Sequence, residues 1–265
     1  TKSCDPTSAV WKSVTSLYKS LLFIGSLSTC LLAQFTVSPM AVEYYLEQGE
    51  SGASILQVKN NKSSPIELSA YIKDKAFING KEAEAEPGTF ERSCAEWIFF
   101  TPKKIKLDPG EVQEIRMKIE VPDTVKGMYW SSLFVEETST PSNTQTRKVK
   151  GSVISFGVSM RVGVLITQSV PGTTVKEGKV SEISFEQQDS TSNINFNYWN
   201  TGNAITHCKS WIEFRDMEGQ TITKIDSGEF KSYPMQLHEI MVQVPNSLPT
   251  GEYSALGIVD FGGAQ

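Results

Sequence analysis

Alternation of apolar and polar residues constrains this 265-residue chain more than any other feature. Ile154, Phe156, Val158, Met160, Val162, Val164 and Ile166 stand at every second position. Between them come Ser155, Gly157, Ser159, Arg161, Gly163, Leu165 and Thr167. Successive side chains of a strand point to opposite faces, so only a strand gathers this pattern onto one buried side. Shorter runs repeat it. Ile55-Leu56-Gln57-Val58 stops at the turn signal Asn60-Asn61; Ile66, Leu68, Ala70 and Ile72 alternate with polar residues; Val112, Ile115, Met117 and Ile119 lead into Val121-Pro122. Helical periodicity is nearly absent after residue 34. Many short strands between turn signals predict an all-β sandwich or barrel. A hydrophobic content of 39% suffices for the core such a fold needs.

The chain also repeats itself. LDPGEVQEIRMKIEVP, Leu107 to Pro122, matches IDSGEFKSYPMQLHEIMVQVP, Ile225 to Pro245. VPDTVKGMYWSSLFVEE from Val121 matches VPNSLPTGEYSALGIVDF from Val244, and VKNNKSSPIEL from Val58 matches YWNTGNAITHC from Tyr198 more loosely. Three matches in one order predict two domains of one fold. Tyr129 and Tyr253 each follow a Gly-marked corner, where a tyrosine corner sits in immunoglobulin-like sandwiches; two ordinary strand tyrosines are the alternative. The expected architecture is two immunoglobulin-like β-sandwiches in tandem, over residues 34–170 and 174–265, with a linker at 171–173. Glu137 to Gly151 is polar and reads as a flexible hairpin loop. The second repeat stops before a last strand, so either that domain lacks it or the sequence is a fragment.

Residues 1–33 read as a leader. Lys12 and Lys19 precede the apolar run Leu21 to Ala33, which fits a signal-peptide core and is short for a membrane span. Cleavage after Ala33 would leave Gln34 first; a retained signal anchor, or a lipoprotein modified at Cys30, are the alternatives. The expectation is an exported protein of the periplasm, cell envelope or exterior, with no stable membrane insertion after cleavage. Without the leader the chain has 22 basic and 29 acidic residues, net −7. That charge argues against nucleic acid and against anionic membrane surfaces. Cys94 and Cys208 remain, as a bridge or as two buried thiols.

Residue types that carry chemistry are scarce. His207 and His238 have no metal-ligand spacing to each other or to Cys208. No Ser stands in a G-x-S-x-G elbow, and no glycine-rich loop matches a nucleotide fingerprint. The run Lys81 to Gly88, KEAEAEPG, reads as a solvated acidic loop rather than a Ca²⁺ site. Trp97, Trp130, Trp199 and Trp211 are assigned to cores. We expect no enzyme, no cofactor and no metal site.

Phe99, Pro102, Leu107, Gly110 and Arg116 keep a spacing that resembles the N-terminal domain of periplasmic pilus-assembly chaperones, the PapD-like fold. Pro122 followed by Met128-Tyr129-Trp130, and the alternating strand ending near Pro171, extend the resemblance over residues 36–170. The resemblance implies a protein partner, a secreted or surface subunit lacking a strand, to which the alternating strand is lent by β-augmentation. The residues it assigns to partner binding are Ile154, Phe156, Val158, Met160, Arg161, Val162 and Val164. The alternative is that this apolar side faces the domain's own core. The family's paired Arg and Lys, which hold a carboxylate, fall at Ala41 and Gly163, with Arg161 two residues before the second position. Its charged signature before the aromatic pair is replaced by Thr124, Val125 and Lys126. A different class of function, a structural or adhesive surface protein with immunoglobulin-like spacers, fits the same strands.

Overall fold

The structure, a computed structural model, describes residues 34–78, 81–138, 144–149, 152–157, 159–188, 191–245 and 248–262. The leader readings, and Val158 among the expected partner-binding residues, lie outside the described residues. Among the described residues every regular element is a strand except one short 3₁₀ turn at Ala95–Trp97.

Two sheets build the first sandwich. One has the order β1 (Phe35–Ser38), β3 (Ser51–Asn60), β8 (Val112–Glu120), β6 (Ile98–Thr101). The other has the order β2 (Ala41–Tyr45), β12 (Arg161–Ser169), β9 (Met128–Glu137), β4 (Ile66–Ile78). Both β5 (Lys81–Ala85) and β7 (Lys104–Leu107) pair with the far side of β4. The chain changes sheet between β1 and β2: β1 runs antiparallel to β3, and β2 runs parallel to β12. Inward-facing Phe35, Leu56, Val58, Leu68, Ile115, Ile119, Leu133, Val135 and Ile166 form a closed core.

The second sandwich has β13 (Gly178–Gln188), β14 (Thr191–Asn200) and β17 (Leu237–Val244) in one sheet. Its other sheet has β16 (Thr221–Ser232), β15 (Thr206–Arg215) and β18 (Ser254–Asp260). Ile194, Phe196, Tyr198, Ile212, Phe214, Ile240 and Val242 fill its core. Tyr253 makes the tyrosine corner, its hydroxyl donating to the Pro249 carbonyl at 2.9 Å. Tyr129 makes no such bond among the described residues; its ring lies 4.6 Å from that of Trp97.

Several sequence readings are corrected here. The alternating run is two strands, since β11 (Ser152–Gly157) ends before β12 begins at Arg161. The expected loop from Glu137 to Gly151 contains β10 (Thr144–Val149), which pairs with β11 over six residues because a partner strand satisfies its polar backbone. The acidic run from Lys81 is strand β5, with Glu82 paired to Lys75 and Glu84 to Arg161. Trp211 is not a core residue; its ring faces outward under the Lys224 ammonium at 3.9 Å. Cys94 and Cys208 are free thiols in separate cores, which removes the bridge between them.

Candidate functional site

The edge of β12 changes character along its length. Leu165–Ser169 is flanked on both sides, by β9 and by β2. Pairing with β2 begins where the Leu165 amide meets the Met40 carbonyl at 3.2 Å. From Arg161 to Val164 the strand pairs with β9 alone among the described residues. Upstream, among the described residues, β11 pairs only with β10. Two bonds tie the junction between them: the Glu137 amide donates to the Met160 carbonyl at 3.0 Å, and the Ser159 hydroxyl donates to the Glu137 carbonyl at 2.7 Å. Among the described residues, β11 and the Arg161–Val164 part of β12, which belong to separate sheets, each have one edge without a strand partner. Exposed backbone of this kind is a template for another strand.

The expected partner-binding residues divide between these edges. Val164 is fully buried in the first core, and Val162 and Met160 are partly buried against it. Ile154 and Phe156 stand on β11, in register with Arg147 and Gln145 of β10. Arg161 is exposed and engaged: its guanidinium forms a fork with Glu84 at 2.7 and 2.9 Å and lies 4.3 Å from the Phe134 ring centre. Gly163, on the same outer face, leaves room for that ring; a Cβ there would meet the Phe134 ring edge at 2.8 Å. Arg161 is thus fixed by its own sheet.

A second feature lies between the sandwiches. A cleft of about 390 Å³ is lined by apolar Met128, Leu165, Val170 and Ile205 together with Glu43, Tyr45, Lys176, His207 and Lys231. Ala41 also lines it and brings no charge to the cleft. The cationic groups there come from the second sandwich: Lys176, whose ammonium donates to the Gly262 carbonyl at 3.3 Å, and Lys231. Sequence reading missed both, since isolated surface lysines carry no spacing signal. His207 and Cys208 point to opposite sides of β15 as adjacent strand residues must, His207 to the cleft and Cys208 to the core. Burial pushes the Cys94 thiol up to about 12, and it raises Cys208 as well, so neither is a ready nucleophile.

No family model matches the chain, and no curated protein sequence matches it. Among the described residues no helix is long and apolar enough to cross a membrane. Among solved structures, the chain is similar to one in the chaperone–tip adhesin complex of CFA/I fimbriae biogenesis, at 15% identity and a TM-score of 0.48, over 85% of this chain and 98% of that one. It is similar to the class 5 fimbriae chaperone CfaA at 16% identity and a TM-score of 0.45, over 84% and 98%. It is also similar to a chain of the Salmonella enterica SafA pilin–SafB chaperone complex, at 14% identity and a TM-score of 0.44, over 88% and 93%. The solved structures that this all-β chain is similar to are thus mostly those of fimbrial chaperones.

Proposed function

We propose that this protein is an exported, non-enzymatic, chaperone-like binding protein for pilus-like surface subunits, and that it acts by lending a strand. The single observation that supports the reading is that, among the described residues, Arg161 to Val164 of β12 pairs with β9 alone and β11 pairs with β10 alone, so each has an edge without a strand partner. A client lacking a strand would pair its backbone along these edges, and side chains at alternate positions would set the register. In this reading Ile154 and Phe156 of β11 would meet the client, whereas Met160 and Val162 pack partly on the core and Arg161 is held by Glu84, so these three would contribute mainly backbone. Val164 serves through its backbone, because its side chain is spent on the core. The domains in this reading are residues 34–170 and 174–265, joined by 171–173, behind a leader that directs export to the periplasm or cell envelope.

The test is capture from envelope extract by the wild-type protein and by an Ile154→Asp/Phe156→Asp variant, with amide exchange read on the complex. The expected outcome is a subunit held by the wild type, lost by the variant at unchanged Tm, and slowed exchange over 152–157 and 161–164. A subunit held equally by both, with protection elsewhere, overturns the reading. A spacer role is the second reading, supported by the Val164 side chain's complete burial in its own domain; it expects no captured subunit at all.

A further inference from the structure

The acidic run that forms β5 does more than face solvent. Glu82, Glu84 and Glu86 stand at alternate positions, which puts Glu82 and Glu84 on one face of the strand. Each of the three holds a cation. Glu86 takes the Lys73 ammonium, and Glu82 takes that of Lys75 at 2.9 Å. Both lysines belong to β4, so these two pairs stay within the β4–β5 hairpin. Glu84 reaches out of it. Its carboxylate accepts the fork of Arg161 on β12 at 2.7 and 2.9 Å.

The same hairpin rests on the second sandwich. Lys75 stands directly opposite Glu84 in the β4–β5 ladder, and opposed residues of an antiparallel pair share a face with Cβ atoms about 5 Å apart. Lys75 is fixed at the contact between the sandwiches. Its carbonyl accepts the Trp130 indole N–H at 2.7 Å, and its ammonium lies 4.9 Å over the Tyr233 ring. Phe77, next on that face, has its ring 4.7 Å from that of Tyr233. One cross-strand pair therefore meets the second sandwich through Lys75 and the edge strand through Glu84. Arg161 opens the part of β12 that pairs with β9 alone among the described residues. Val162 and Val164 hold this short segment from the core side. From the outer side it is held by Arg161, through Glu84 and the Phe134 ring.

We propose that Glu84 is a positioning residue for the edge of β12, and that the β4–β5 hairpin links this edge to the second sandwich. The inference rests on the proposed function in treating Arg161–Val164 as an edge offered to a client; the hold on β12 itself needs no client. Both side chains of the pair are partly exposed, so the effect is on local opening of the edge rather than on the whole fold. Coupling is reciprocal: a client paired along this edge should also tighten the contact at Tyr233.

Residue-resolved amide exchange on the protein without client tests this. Glu84→Gln keeps the size of the side chain and removes its charge. It is expected to speed exchange over Arg161–Val164 by about two- to fivefold, with β5 unchanged and Tm nearly so. Arg161→Gln should give the same increase, and the double variant no more than either. High salt should bring the wild type toward the Glu84→Gln rates and leave that variant where it is. Tyr233→Leu keeps apolar bulk and removes the ring under Lys75; it should speed the same amides in the wild type and add nothing in the Glu84→Gln background. Unchanged rates over Arg161–Val164 in Glu84→Gln, or faster exchange confined to β5, overturn the positioning role. Additive effects of Tyr233→Leu and Glu84→Gln overturn the link to the second sandwich. Client capture by a protein whose edge ignores Glu84→Gln removes this inference alone. An edge that responds, in a protein that captures no subunit, removes the proposed function and leaves the hold on β12.

Discussion

Asn60 and Asn200 show how one residue type holds a strand corner twice. Both are fully buried. The Asn60 side-chain amide donates to the carbonyls of Ser64, Leu107 and Asp108 at 2.9, 3.2 and 3.1 Å, while its oxygen accepts the Lys62 amide at 2.8 Å. The Asn200 amide donates to the Ala204 and Ser232 carbonyls at 3.1 Å each, and its oxygen accepts the Gly202 amide at 3.0 Å. The spacing is the same in both: acceptor four residues on, donor two residues on. Replacement by Ala would strand several buried backbone groups at once, and such groups cost about 1–3 kcal/mol each when left unpaired. Asn60→Ala and Asn200→Ala are each expected to lower unfolding free energy by about 2–4 kcal/mol in urea titration. A loss near zero for either would show that water replaces the side chain.

His238 gives a residue-scale pH dependence. Its ring lies 4.4 Å from that of Phe230, its Nε2 is buried with no hydrogen-bond partner among the described residues, and burial lowers its pKa below the ordinary value of 6.5. The folded state disfavours the proton, whereas the unfolded chain accepts it. Stability should therefore be full above pH 6.5 and fall as pH drops below it, until the folded-state pKa is passed. Denaturant titrations from pH 7.5 to pH 5 would show the decline, and His238→Phe should remove the part of the slope that this group supplies. An unchanged slope in the variant would assign the decline to the carboxylates.

At the scale of elements, what was legible in the sequence was whatever a strand needs from its own residues. β4, β8 and β12 bury alternate side chains, so their pattern is written in Leu68, Ala70 and Ile72, in Ile115, Met117 and Ile119, and in Val164 and Ile166. β10 was not legible: Thr-Gln-Thr-Arg-Lys-Val has one apolar residue, and its strand is made by hydrogen bonds to β11 rather than by burial pattern. The sequence Asp-x-Gly-Glu takes two different conformations. In Asp108–Glu111, Pro109 and the left-handed Gly110 (φ 76°) close a turn, with the Glu111 amide on the Asp108 carbonyl. In Asp226–Glu229 there is no Pro, and Gly228 (φ 107°) sits in a bulge inside β16, where the register with β15 shifts. The extent of the free edge of β12 is not written in its periodicity, because pairing depends on where β2 begins, at Ala41 opposite Leu165. Gly163 on that strand carries an element-scale prediction. Gly163→Val would push the Phe134 ring off the Arg161 guanidinium. The expected cost is about 1–3 kcal/mol by chemical denaturation. A Phe134→Ala background should absorb most of it; an undiminished cost there would place the strain in the backbone instead.

The whole molecule turns on the contact between the sandwiches. Trp130, Ile205 and Tyr233 are buried together, with Phe77, Met128 and Leu165 packed around them. The Trp130 indole nitrogen donates to the Lys75 carbonyl at 2.7 Å, its ring meets Tyr233 edge-on at 5.3 Å, and the Lys75 ammonium lies 4.9 Å over the Tyr233 ring. The connecting segment is held in the same place. The Gly127 amide donates to the Thr173 hydroxyl at 2.7 Å, the Asn203 side chain bridges Thr173 and Val175, and the Met128 amide reaches the Asn203 carbonyl at 2.9 Å. A contact built from one aromatic cluster and a few bonds couples two cores that are otherwise separate, so unfolding of one should draw the other with it while the cluster stands. Truncating a buried aromatic costs about 3–5 kcal/mol. Tyr233 belongs to neither main core, so Tyr233→Ala should remove coupling more than it weakens either sandwich. Calorimetry should show one transition in the wild type and two in Tyr233→Ala. Ile212→Val, inside the second core, should lower the single transition without dividing it. Two transitions already present in the wild type would mean that the cluster supplies orientation but little cooperativity. In that case a client held on the first sandwich would leave the stability of the second unchanged.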